Sequence, residues 1–258
     1  SGAAGSAASS AAPSATASAA ATGAGAATWV WFVPVALAGV AASQSSSKAA
    51  TGSTDVTRAI RVVDGPIKQA DVYVDLNDNG TIDAGEPKVG STKDDGSLSV
   101  TLTAAQAGHG LLAKGGTDTE TNKTFAGVLA APAGSTVINP LTTLVAALME
   151  SKEGAPGLSL SAAKQAVVDK LGLTAGVDVT TYDTFALASK GDANALADHK
   201  KAVQIANIIV AGSALVAGAG DQVAAASSVV DALAGAIKSS GAGAVSLNDA
   251  TVAQVLTT

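Results

Sequence analysis

Cysteine is absent from all 258 residues, which excludes disulfides, thiolate nucleophiles and cysteine-ligated zinc together. Aromatic residues make up 3% of the chain and charged residues 14%, against roughly 25% charged in an average soluble domain. The apolar mass is mostly Ala, Val and Leu, side chains that bury little area each. A core built from them is thin and calls for help from metal, repetition or assembly. The 15 Lys and Arg are outnumbered by 21 Asp and Glu, and the densest basic pair is Lys200-Lys201. Tracking nucleic-acid phosphates needs clustered positive charge, so no nucleic-acid partner is expected, and an anionic lipid surface is disfavoured for the same reason.

The catalytic repertoire is equally short. No Gly-x-Ser-x-Gly elbow, His-Glu-x-x-His pair or phosphate-binding glycine loop occurs. His109 falls in a Gly-rich turn and His199 in a charged helical stretch, and both read as surface histidines without a role. The neighbouring carboxylates Asp94 and Asp95 sit in turn chemistry, where solvation is the simpler reading. No enzymatic activity is expected.

What is present divides into three regions. Residues 1–55 form a low-complexity Ala/Ser/Gly tract with the composition of a flexible linker. The chain starts at Ser1 and its one methionine is Met149. A processed N-terminus is therefore expected, as after signal-peptide removal, and with it a secreted, extracellular or cell-surface location. The tract is interrupted at residues 28–37 by Trp29, Val30, Trp31, Phe32, Val33, Pro34, Val35 and Leu37, which include both tryptophans of the protein. This β-branched and aromatic content reads as a strand with a proline near its middle, hence an edge strand or a bulge. Residues 24–42 carry no charge, and about 20 apolar residues suffice for a membrane span. Pro34, the weakly apolar flanks and the lack of any Lys or Arg before Lys48 argue against insertion.

Residues 56–134 read as short strands, expected at 58–63, 71–75, 97–103, 110–114 and 124–130. Asp64-Gly65-Pro66 and Asp94-Asp95-Gly96 supply turns between them. Five strands fall short of the seven usual in an immunoglobulin-like sandwich. Residues 135–258 switch to helical period. Asn139 caps a helix with Pro140 at its first position and Leu141, Leu144, Val145 and Leu148 on one face. Further helices are expected at 161–171, closed by Gly172, at 193–217, at 222–238, and from Leu247 onward. The expected class is α+β: a small immunoglobulin-like or prealbumin-like antiparallel β-sandwich, then an α-helical domain, preceded by an extended low-complexity segment.

The sharpest chemical signal lies at residues 75–86, Asp-Leu-Asn-Asp-Asn-Gly-Thr-Ile-Asp-Ala-Gly-Glu. Asp75, Asn77 and Asn79 take positions 1, 3 and 5 of a twelve-residue calcium loop, and Gly80 takes the turn position 6. Thr81 offers its carbonyl at 7, Asp83 stands at 9 and Glu86 at 12. Hard oxygen donors at alternating positions can wrap one Ca²⁺, and Ile82 is expected to plug the loop into the core. Three formal charges, from Asp75, Asp83 and Glu86, suit the modest affinity of extracellular sites.

The flanks are not those of a regular helix-loop-helix: Val72-Tyr73-Val74 is strand-like and Pro87 follows the loop. Residues 67–80, then Asp83-Ala84-Gly85-Glu86-Pro87, then Thr92-Lys93-Asp94-Asp95-Gly96-Ser97-Leu98, resemble the calcium-binding B-type repeats of bacterial surface adhesins. Those belong to a wider group of carboxypeptidase-regulatory-like, prealbumin-like modules. The resemblance covers about residues 60–103. It implies a structural Ca²⁺ held by Asp75, Asn77, Asn79, Asp83 and Glu86. Segments 115–118 and 131–144 look like those that follow such modules in large secreted surface proteins.

Three readings follow. The first is a structural subunit of an extracellular fibre, matrix or surface layer, stabilised by Ca²⁺ and self-associating into a homopolymer through strand donation by Trp29, Val30, Trp31, Phe32, Val33, Val35 and Leu37. The second is an adhesive module of a larger adhesin. The third is a membrane-anchored envelope protein.

Overall fold

In the computed structural model, residues 55–152, 156–218, 220–241 and 244–245 are described. The segment 28–37 and the helix expected from Leu247 lie outside the described residues.

Alternation of apolar and polar residues sets the strands, because successive side chains of a strand point to opposite faces. β1 (Val56–Val62), β2 (Ile67–Lys68), β3 (Asp71–Asp75), β4 (Lys88–Ser91), β5 (Ser97–Leu102), β6 (Gly110–Lys114), β7 (Thr117–Asp118), β8 (Val128–Ala131) and β9 (Val137–Ile138) follow in order. They form a sheet β5-β1-β9, a sheet β4-β3-β6-β8 and a small pair β2-β7. The inward residues Ile60, Val62, Val100, Leu102 and Ile138 of the first sheet share one core with Val72, Val74, Leu111, Ala113, Leu129 and Ala131 of the second.

Several expectations need correcting. Strands β2, β4, β7 and β9 are two to four residues long, too short to show a period in sequence. The strand expected at 124–130 begins at Val128, because Thr124 makes only an isolated bridge to Thr117. Pairing is not purely antiparallel either: β9 runs parallel to β1 at Arg61–Val137 and Val62–Ile138. This strand lies past residue 134, just before the first helix.

The helices are α1 (Pro140–Met149), α2 (Leu160–Leu171), α3 (Thr184–Ala188), α4 (Ala193–Ala217) and α5 (Gln222–Ser239). Side chains cap each start: Asn139, Ser159, Asp183, Asp192 and Asp221 accept from backbone N–H groups of the first turn. Helix α3, five residues long, is too short to show a helical period in sequence. Leu144, Leu148, Val167, Ile205, Ile209, Val229 and Leu233 meet in a second core. Helix α4 is long and apolar enough by composition to cross a membrane, one such helix among the described residues; its Ala202, Ile205 and Ile209 join that second core.

Two polar links join strands to helices. Thr142 Oγ1 donates to the Ala130 carbonyl at 2.8 Å, and the Ala130 N–H donates to Thr143 Oγ1 at 3.0 Å. Arg61 Nη1 donates to Asp183 Oδ2 at 2.7 Å while Nη2 donates to the Asp95 carbonyl at 2.7 Å.

Candidate functional site

The loop 75–86 leaves the end of β3 at Asp75 and rejoins the sheet at β4. Asp75 is 4% exposed and pairs across the ladder with Gly110 of β6. Its Oδ1 accepts the Asn79 N–H at 3.0 Å and its Oδ2 the Gly80 N–H at 2.8 Å. The chain therefore folds back over its own first carboxylate. Gly80 takes φ +70°, a conformation a side chain would strain, which is why glycine stands there. Burial raises the Asp75 pKa, and the Gly80 and Asn79 N–H donors act in the opposite direction.

The rest of the set is tied together by its own polar groups. Asn77 Nδ2 and Asn79 Nδ2 both donate to Asp83 Oδ2, at 2.9 and 2.8 Å, and these contacts lower the Asp83 pKa. Glu86 spans the loop: Oε1 accepts from the Leu76 N–H and Oε2 from the Asp83 N–H, each at 3.0 Å. Asn79 Oδ1 accepts from Thr81 N at 2.9 Å and Thr81 Oγ1 at 2.7 Å. All six expected ligand residues thus lie in one hydrogen-bonded network.

Chemically the set fits a hard divalent cation. It offers three carboxylates, two amides and the Thr81 carbonyl, with no thiolate or imidazole that would favour a softer metal. A half-turn of either amide exchanges its NH₂ for its carbonyl oxygen at Asp83. Carboxylates alone do not make the site: among the described residues no three Asp, Glu, His or Cys side chains are gathered as a metal-binding group. A cation held there would draw on the amides and the main-chain carbonyl as well.

Three sequence readings change here. Ile82 is only half-buried and belongs to neither core; residues 76–79 and 83–85 are exposed, so the loop stands off the sheets and has no core to plug. His109 is not without a partner. Its Nδ1 lies 3.1 Å from Asp78 Oδ2, and Asp78 Oδ1 accepts the Gly110 N–H at 2.9 Å, so the non-ligand position 4 ties the loop to β6. His199 is half-buried, edge-on to Phe185 at 5.6 Å and 3.2 Å from Thr184 Oγ1, and burial lowers its pKa.

Sequence reasoning missed Glu150. A cleft of about 270 Å³ lies beside the loop, and Asp75, Asp78, Gly80, Gly110, Met149 and Glu150 line it. Glu150 follows directly on α1, far from the loop in the chain, and no local pattern marks it. The chain matches no family model, no curated protein and no solved structure.

Proposed function

We propose that this chain is a structural subunit of an extracellular bacterial fibre, matrix or surface layer, stabilised by Ca²⁺ at residues 75–86. The subunits polymerise by donating segment 28–37 to a neighbour. One observation carries the reading: among the described residues, strand β1 has a free side. It pairs with β5 from Val56 to Arg61, but on its other side only Arg61 and Val62 meet β9. The Arg61 N–H points toward β9, donating to the Thr136 carbonyl, whereas the Val62 N–H points the other way, to Gly96. By strand alternation, the backbone groups of Thr57 and Ala59 also face the free side.

Such an edge is a template for strand addition. Segment 28–37 is suited to it, since an extended chain puts Trp29, Trp31, Val33, Val35 and Leu37 on one face. Each aromatic buried at the contact contributes roughly 1.5–3 kcal/mol, which offsets the ordering of the tail. A contact between two different surfaces does not close on itself and propagates into a filament. Calcium stiffens each unit before it is strung.

Electron microscopy at rising protein concentration, with calcium, tests this directly. The full chain is expected to form fibres or sheets, and a chain lacking residues 1–42 to stay monomeric while still binding calcium. The deletion spares the compact unit 50–258. Equal assembly by the truncated chain would refute strand donation. Monodisperse full-length particles would favour an adhesive module, and a need for detergent a membrane anchor.

A further inference from the structure

Glu150 sits badly for an acid. It is the C-cap of α1, its N–H donating to the Ala146 carbonyl at 3.2 Å, and the helix dipole is negative at that end. Its side chain is only 13% exposed and shares the cleft with Asp75 and Asp78. One cation on its own side compensates: Lys152 Nζ lies 2.8 Å from Glu150 Oε2 and 2.9 Å from Asp231 Oδ1 of α5. The other oxygen, Oε1, faces the calcium loop. A Cβ placed on Gly80 would lie 2.8 Å from it, so Oε1 stands directly behind the loop's turn.

We propose that Glu150 is a further residue of the calcium site, contributed by the helical half. It acts through the field its carboxylate adds behind Gly80 rather than as a ligand, and so couples cation binding in the loop to the junction of α1 and α5. The inference rests on the calcium reading of residues 75–86. Positive charge held by the loop relieves the repulsion among Glu150, Asp75 and Asp78. By linkage, the same carboxylate strengthens the loop's hold on the cation. Charges this close and half-buried interact strongly enough to matter, and are screened only in part by salt.

Calorimetric titration of the full chain with CaCl₂ tests it, using three substitutions. Glu150→Gln keeps the shape and is expected to weaken calcium binding about three- to tenfold. Lys152→Gln removes the compensating cation and is expected to tighten binding by a similar factor, a sign that a loss of packing would not produce. Asp231→Asn, which removes the second carboxylate paired with Lys152, is expected to change the affinity by less than about twofold. Calcium binding in the parent that Glu150→Gln and Lys152→Gln both leave unchanged overturns the inference and leaves the loop reading standing. Weakening by all three variants alike also overturns it, since that pattern means structural damage. No calcium heat in the parent chain overturns the loop reading and this inference with it.

Discussion

At the scale of single residues, an arrangement confined to a contiguous stretch was legible and one made by distant residues was not. The hydrogen-bonded loop could be read because the six residues expected to hold a cation all fall within 75–86. Asp64 could not. Its Oδ1 is buried with no hydrogen-bond partner, and burial, with the nearby Asp118 charge, raises its pKa from 3.8 to about 7. The folded state then holds a proton that the unfolded state has lost, so stability falls as pH rises from about 4 to about 7. The contribution is complete below the unfolded value and gone above the folded one, up to about 4 kcal/mol in all. Asp64→Asn is expected to flatten that slope, measured as urea midpoints between those limits. An unchanged slope would mean that Asp64 titrates normally. Gly96 was legible as a turn residue but not for its reason. It takes φ +76°, and a Cβ there would meet the Val62 carbonyl oxygen at 2.6 Å. Gly96→Ala is expected to cost at least about 1–3 kcal/mol, read by thermal melting.

At the scale of elements, length decided what the sequence revealed. Helix α4 matches its expected bounds of 193 and 217, and α1 matches its cap and its apolar face, because a 3.6-residue period has room to repeat. The two-residue strands β7 and β9 have no period at all and exist only through partners, β2 and β1. The joint between β8 and α1 was also invisible, since Thr142 and Thr143 read as ordinary helix residues. In the structure Thr143 is buried and its Oγ1 accepts from the Ala130 N–H while donating to the Asn139 carbonyl at 2.8 Å. Thr143→Val keeps the shape but strands a buried N–H. The expected loss is about 1–3 kcal/mol, with faster amide exchange at Ala130. Thr143→Ser, which keeps the hydroxyl, should recover most of it; a Ser variant as weak as Val would assign the loss to packing instead.

At the scale of the whole molecule, the proposed assembly raises the question of which surface would receive a neighbour. Each exposed strand edge is a candidate, but the edges differ. The outer side of β8 is covered, its Ala130 backbone taken up by Thr142 and Thr143. The free side of β1 carries exposed Thr57 and Ala59 and runs up to where β9 begins to pair. An incoming strand there would extend the β9 position along β1 and complete a row already started. Proline at such an edge removes a donor that faces outward and leaves the ladder on the other side whole. At Ala59 the N–H faces away from β5, so Ala59→Pro spares the β1–β5 bonds and should change the melting temperature of the monomer little. In the full chain it is expected to abolish growth of fibres, seen by light scattering and microscopy, while calcium affinity stays at the parent value. Arg58→Ala tests the same edge from its other face: its Nη1 reaches the Ser135 carbonyl at 3.4 Å, but its backbone points to β5, so assembly should survive. Fibres from Ala59→Pro as abundant as those of the parent would place the acceptor elsewhere on the molecule.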